Sequence, residues 1–409
     1  MNDQPALLGN EPIFKSRVQV AKPLLPGFEE LEKQVRDILE SGILSKGQHL
    51  SDFEKAVAEH LGVKHAVAVS NCTAGLMLTY KALGLGGGVV VPSFTFMATV
   101  SALVWAGLRP VFADINPETT NLEPSAVEAA VTDKTTAITA IVAVHNSGNP
   151  AEVDALAEIA ERHRLRLIFD AAHGFGSLYQ GTPLGREGDA SVFSLSPTKL
   201  LVAGEGGIVA TDDDDVAGKV RVGREYGNGG NYDSVFAGIN ARLPEFNALL
   251  GRRGLSGLDE AARHRNRLAK IYRERLGRLP GLTFQTVLPG NRSSYKDFSI
   301  FVDPHAFGLG RDQLALALDA ERIETRKYYD PPVHRQSAYR QYAPPDGNLV
   351  NTDLTAARIL CLPVWSNMDA ETVANICLAV ERVHGFAREI NARLNPEAKS
   401  AACPSQASE

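Results

Sequence analysis

The sequence predicts an α/β protein with a large, mostly parallel sheet and a smaller C-terminal α/β domain, and three features carry that expectation. Short apolar runs alternate with helical patterns from about residue 60 to residue 225. Those runs are apolar throughout, as strands covered on both faces require. After a helical stretch at 243–276, short strands and helices resume between 280 and 390. The expected division is an N-terminal arm at 1–20, a large domain at 21–245, and connecting helices with the small domain at 246–395. Residues 396–409 are small and polar and are expected to be disordered.

Composition narrows the function. A chain of 409 residues, 44% hydrophobic and 22% charged, suits a soluble protein with a sizeable core. A net charge of -6 leaves no electrostatic footprint for nucleic acid. Cys72, Cys361, Cys377 and Cys403 lack C-x-x-C spacing, so neither a zinc site nor a disulfide framework is expected. The first residues carry no signal-like pattern and no stretch has eighteen apolar residues in a row, which predicts a cytoplasmic enzyme with no membrane partner.

Taken in order, Gly27 to Leu39 puts Phe28, Leu31, Val35, Ile38 and Leu39 at helical spacing and stops at Ser41 and Gly42. A turn at Gly47 leads into a second helix, with Ser51 as the expected cap and Glu54 placed to complete a capping box. Ser45 and Lys46 can meet an anion there, with a solvated turn as the alternative. His65 to Ser70 is a buried strand, and the helix starting near Thr73 presents free N–H groups, as every βα unit does. After the strand at Val89 to Val91, Phe94 and Phe96 flank a helix start, where an aromatic ring either stacks on a flat ligand or joins the core.

Strands follow at Pro110 to Ala113, Ala137 to Val144 and Arg166 to Phe169, the last two separated by a helix from Ala151 to His163. Ala190 to Phe193 and Ile208 to Thr211 continue the sheet, joined through the glycine-bearing run Ala203 to Gly207. Four aspartates at 212–215 read as a helix start, since consecutive residues cannot all face one metal ion. A polar, glycine-rich loop occupies 227–238. The small domain is expected to hold strands at Leu282 to Gln285 and Asp297 to Phe301, and helices at Arg311 to Leu318 and Ala370 to Glu389.

Two residues in this layout suggest chemistry. Ligands of open α/β sheets sit at the carboxyl ends of strands, where Asp170 falls, and Lys199 lies in the loop five residues beyond Ser194. A desolvated lysine beside other cations can lose its proton and form a Schiff base. A carboxylate facing it can keep a pyridinium nitrogen protonated, so the pair is equipped for pyridoxal 5'-phosphate (PLP) chemistry. Singly, each has an ordinary role: the aspartate as a helix cap, the lysine as a solvated side chain.

The ordered motifs SKGQHLSDFE, SNCTAGL, PSFTFMAT, DAAHGFG, SLSPTKLLVAGEGG, GINARLPEFNA and TRKYYDPPVH resemble those of the DegT-type, PLP-dependent sugar aminotransferases of fold type I, from about Gly42 to His384. The resemblance implies that Lys199 forms the Schiff base with PLP and shuttles the proton. It also implies that Asp170 partners the pyridine nitrogen, that His173 approaches the phenolic oxygen, and that Phe96 stacks on the ring. Thr73, Ala74 and Ser194 match phosphate donors. Asn240 matches an asparagine that reaches the phosphate in the neighbouring subunit, which implies a homodimer with shared active sites.

Tyr328, Tyr329 and His334 match a segment near the active site, and Arg326 and Lys327 would suit a diphosphate. A structural Tyr-Tyr strand end is the alternative for the tyrosines. The chain departs from the family pattern at Cys72, where glycine is common, at Ser147, where an aromatic is common, and at Leu195 and Ser196, where Phe-His is frequent. The implied reaction moves an amino group from L-glutamate to a nucleotide-linked keto-deoxysugar. The implied position is C4 of a dTDP-4-keto-6-deoxyglucose, as in amino-sugar and antibiotic biosynthesis, with C3 amination as the first alternative. A sugar dehydratase of the same fold lacks the lysine, and a regulatory protein on this scaffold is expected to lose Lys199 or Asp170. Both residues are present.

Overall fold

The computed structural model describes residues 4–133, 137–344, 347 and 349–395; the tail expected at 396–409, with Cys403, lies outside them. Strands β1 (His65–Val69), β2 (Gly88–Pro92), β3 (Arg109–Ala113), β4 (Ile138–Val144) and β5 (Arg166–Asp170) come first. A small hairpin of β6 (Leu178–Tyr179) and β7 (Thr182–Pro183) precedes β8 (Ala190–Ser194) and β9 (Gly207–Thr211). The main sheet has seven strands in the order β1-β9-β8-β5-β4-β2-β3. Pairing is parallel from β8 through β5, β4 and β2 to β3, while β9 runs antiparallel to both β8 and β1.

Both faces of this sheet are covered, which is why its strands are apolar without a break. Val89 and Val91 join one core cluster with Val67, Ile168 and Val192, and Val90 joins another with Ile141 and Phe169. Ala66, Ala68, Phe193 and Ile208 face a third, filled by Phe53 and Val57 of the helix Gln48–Leu61. The second sheet is antiparallel, β10 (Leu282–Phe284), β11 (Phe298–Val302) and β12 (Ile359–Leu362), under the helices Leu258–Leu276, Arg311–Ala320 and Ala370–Gly385. The arm joins this second unit: Val18 donates its N–H to Arg322 and packs in the same cluster.

Two expectations are corrected. The helix Gln48–Leu61 begins three residues before Ser51, with Gly47 as its N-cap, and Glu54 does not close a capping box. Glu54 instead accepts the Ala68 N–H at 2.8 Å and pairs with Arg224. The orphan N–H groups of Gly47, His49 and Leu50 go to the carboxylate of Glu245, buried and 195 or more residues away. The helix expected at Ala370 to Glu389 is two, Ala370–Gly385 and Ala387–Leu394. Gly385 weakens it and Phe386, at φ -112° and ψ 23°, turns to pack on the core.

Replacing Glu245 with alanine strips three N–H groups of a shared, charged acceptor. Urea denaturation is expected to show a loss of about 2–3 kcal/mol; a loss below about 0.5 kcal/mol would show that water caps the helix equally well.

Candidate active site

Asp170 ends β5 opposite Val192 of β8, so the parallel register delivers its carboxylate to the carboxyl edge of the sheet. It is buried, 4% exposed. Oδ2 accepts the Thr99 hydroxyl at 2.7 Å, and Thr99 is itself in contact with the Thr95 hydroxyl at 2.8 Å. Oδ1 accepts the Ala172 N–H at 3.0 Å and the Cys72 thiol at 3.9 Å. Burial raises the carboxyl above its usual range, opposed by the Thr99 and Ala172 donors and by the charge of Lys199.

Lys199 stands in the loop that leaves β8, pinned by Leu195 N–H to Gly206 and Ala203 N–H to Leu195, both 2.9 Å. Among the described residues it has no ion-pair partner. Burial, then the nearby Lys296 cation, lower its amine to about 8 from the usual 10.5, against the pull of Asp297, Cys72 and Asp170.

The helix Cys72–Ala82 points its N-terminus at the same edge. Asn71 caps it by accepting the Ala74 N–H at 2.8 Å, so that N–H is committed, whereas those of Cys72 and Thr73 have no acceptor among the described residues. Gly207 lies so close that a Cβ there would fall 2.7–2.8 Å from the Asn71 and Cys72 backbone. Ser194 is buried with its hydroxyl 3.4 Å from that of Ser196. The Cys72 thiol is pushed well up by burial and then by Asp170, which keeps it protonated and able to donate.

His173 is buried; its Nδ1 accepts the Ser147 N–H at 3.2 Å, which leaves Nε2 as the protonated nitrogen of a neutral ring. Burial, then the Lys199 and Lys296 charges, hold its basicity well below normal. Phe96 is half exposed at the N-cap of the helix Met97–Trp105, its ring 6.2 Å from that of Tyr329. Phe96, Met97, Arg326, Lys327, Tyr328 and Tyr329 line an open cavity of about 430 Å³.

Not every expected residue gathers here. Asn240 is exposed, in a bridge to Glu225. Lys46 pairs with Glu225 at 3.3 Å and Ser45 bridges to Pro244. Arg326 pairs with Glu324, and Lys327 with Asp312 at 2.6 Å, so neither cation is without a counterion. His334 is buried behind the site with Nδ1 2.6 Å from the Ser93 hydroxyl.

Three residues at the site escaped the sequence. Thr99 lay inside the quoted PSFTFMAT segment, four residues after Thr95, and its contact with Asp170 is visible only in three dimensions. Lys296 and Asp297 are both buried and paired at 2.8 Å, in the lead into β11. Two adjacent charges before an apolar strand were the available signal.

With this geometry in place, known proteins can be compared. The DegT/DnrJ/EryC1/StrS aminotransferase family model matches residues 27–381. The chain belongs to that family. It is 35% identical over 377 residues to the spore coat polysaccharide biosynthesis protein SpsC of Bacillus subtilis, covering 88% of this chain and 95% of SpsC. It is 34% identical over 364 residues to the dTDP-3-amino-3,4,6-trideoxy-alpha-D-glucose transaminase of Streptomyces venezuelae, covering 87% and 94%. The structure of DesI in the presence of its TDP-sugar product superposes with a TM-score of 0.89 at 37% identity, covering 97% of this chain and all of that one.

This family member is therefore a PLP-dependent aminotransferase of fold type I acting on nucleotide sugars. The residues present fit the cofactor. Two unaccepted N–H groups at a helix end suit a phosphate, and among the described residues neither the buried Asp170 nor Lys199 has an ion-pair partner.

The lowered amine of Lys199 predicts a pH profile for loading. In the cofactor-free protein, the rate of PLP attachment, followed by visible absorbance, is expected to rise through about pH 8 and level off above it. A rate still climbing at pH 10 would mean that Lys199 titrates as an ordinary solvated lysine.

Proposed function

We propose that the enzyme transfers the amino group of L-glutamate to C4 of a dTDP-4-keto-6-deoxyglucose, with Lys199 and Asp170 as its catalytic residues. The observation that carries the assignment is the convergence of an unpaired lysine, a buried carboxylate and an open helix N-terminus at one sheet edge. PLP bound there supplies an electron sink for the carbon that loses its proton. With PLP held there, Lys199 would be the base that takes the α-proton of the donor and the acid that gives it back, and it would play the same two parts in the reverse order toward the sugar.

Asp170 would hold a ring nitrogen in its protonated form, and that cation would in turn offset the desolvation of the carboxylate. Thr99 and Ala172 fix the carboxylate so that it need not reorient as charge develops. His173 would offer its Nε2 proton to the phenolic oxygen, Phe96 would cover the ring, and Thr73 with Ser194 would bind the phosphate. Ala74 contributes at that seat only if its N–H leaves Asn71.

The TDP sugar named with DesI supports the nucleotide. C3 amination is kept as the second possibility because the name of the Streptomyces venezuelae transaminase, 34% identical, specifies a 3-amino sugar.

A homodimer completes the site. Phe28 before the helix Glu32–Ser41, Leu39 on it, and Ile43 and Leu44 after it are more than half exposed, apolar surface that a second copy would cover. The exposed Asn240 then reaches the partner's phosphate seat.

Lys199→Ala is expected to abolish the visible PLP band and reduce turnover at least about a thousandfold; a retained band would reassign the lysine. Locating the new C–N bond by NMR after reaction with L-glutamate and a panel of nucleotide keto sugars decides between C4 and C3. Mixing inactive Lys199→Ala and Asn240→Asp chains is expected to restore about a quarter of wild-type activity, because each mixed dimer regains one intact site. No restoration would mean that Asn240 serves its own subunit.

A further inference from the structure

The Lys296–Asp297 pair is costly to keep. Both side chains are about 95% buried, and their single contact, Nζ to Oδ1 at 2.8 Å, leaves Asp297 Oδ2 buried with no hydrogen-bond partner among the described residues. The Lys296 ammonium has three donors and uses one of them there, while its charge lies over the Tyr328 ring at 4.8 Å. An open buried acceptor beside open donors is the kind of defect that native structures keep for a ligand.

The pair is tied to the catalytic edge. Lys296 donates its N–H to Ser147 O at 3.0 Å, and Ser147 donates in turn to His173. Ser294, two residues before Lys296, donates its hydroxyl to His173 O at 2.9 Å. On its other side, Arg265 holds the Tyr295 and Lys296 carbonyls. Both charges of the pair are felt by the Lys199 amine, and Asp297 is felt by Tyr329, which lines the open cavity with Tyr328.

Resting on the nucleotide-sugar assignment above, we propose that Lys296 and Asp297 bind the hydroxyl on the sugar carbon next to the keto carbon that receives the amino group. A hydroxyl is both donor and acceptor, so it can donate to Asp297 Oδ2 and accept from Lys296 Nζ at once. The carboxylate of an amino donor has no proton for Oδ2 and would meet a like charge there. The ammonium of that donor fits Oδ2, but it must leave as the reacting amine, whereas the sugar hydroxyl stays bound throughout transfer. The pair therefore specifies the acceptor.

The test compares dTDP-4-keto-6-deoxyglucose with its 3-deoxy analogue on the PLP-loaded wild-type enzyme. A site built to pair a hydroxyl rejects the analogue lacking it, and the expected preference in kcat/KM exceeds about a hundredfold. Equal rates on the two sugars would sink the proposal, whatever any variant does. Because deleting one partner strands a buried charge, the pair is replaced as a unit, Lys296→Met with Asp297→Leu. That variant is expected to bring the preference to about one; because the preference is a ratio read within one enzyme, it does not depend on how far the loss of Lys296 and Asp297 alters the Lys199 amine. A preference retained by the variant overturns the proposal. If wild type bleaches with glutamate yet aminates neither sugar at any carbon, the substrate assignment fails and the proposal with it.

Discussion

A carboxylate buried at the edge of a sheet, with no ion-pair partner among the described residues, is the constraint around which this molecule is arranged. Asp170 is taken out of water by β4, β5 and β8, and burial alone favours its neutral form. Two firm hydrogen bonds, from Thr99 and Ala172, recover part of the lost hydration, and the thiol of Cys72 adds a weaker one at 3.9 Å. None of these brings a positive charge. A carboxylate held in that state is poised for a cationic partner, and a PLP ring nitrogen, protonated, is such a partner. Where the family commonly has glycine, Cys72 inserts a donor against this carboxylate, so the departure from pattern falls on the group that matters most for the ring.

Sheet topology then decides what Asp170 can meet. The parallel run from β3 to β8 sends strand ends and helix starts to one side. β9 breaks that run by returning antiparallel next to β8, so the connection between them is a loop over the same edge and not a helix across a face. Lys199 rides in that loop. The contact of Gly207 with the Asn71 and Cys72 backbone brings the loop's far end against the helix N-terminus, on the side where Asp170 and Lys199 feel one another's charge.

How much of this the sequence displayed depends on the range of each interaction. Asp170 and Lys199 were legible because strand ends can be found from short apolar runs, and the parallel sheet followed from strands apolar on both faces. The cap on the helix Gln48–Leu61 was not, because a local capping box was the only kind that a linear pattern can reveal and the acceptor, Glu245, is supplied from nearly two hundred residues away. The same limit hid Lys296 and Asp297: they reach the site only because the second sheet folds back on Ser147 and His173. Thr99 was visible as a residue but not as a partner, since nothing in PSFTFMAT says which carboxylate its hydroxyl meets.

The two lysines at this crevice show how environment divides labour between identical side chains. Lys296 is paired with Asp297 at 2.8 Å. Lys199 has no such partner, and the charge of Lys296 works against its own. At pH 7 an amine of pKa about 8 is neutral in about one molecule in ten, against about one in three thousand for an unperturbed lysine. Burial and the neighbouring Lys296 thus both favour the neutral amine at Lys199, while Asp297, the group that pulls the other way, is paired with Lys296.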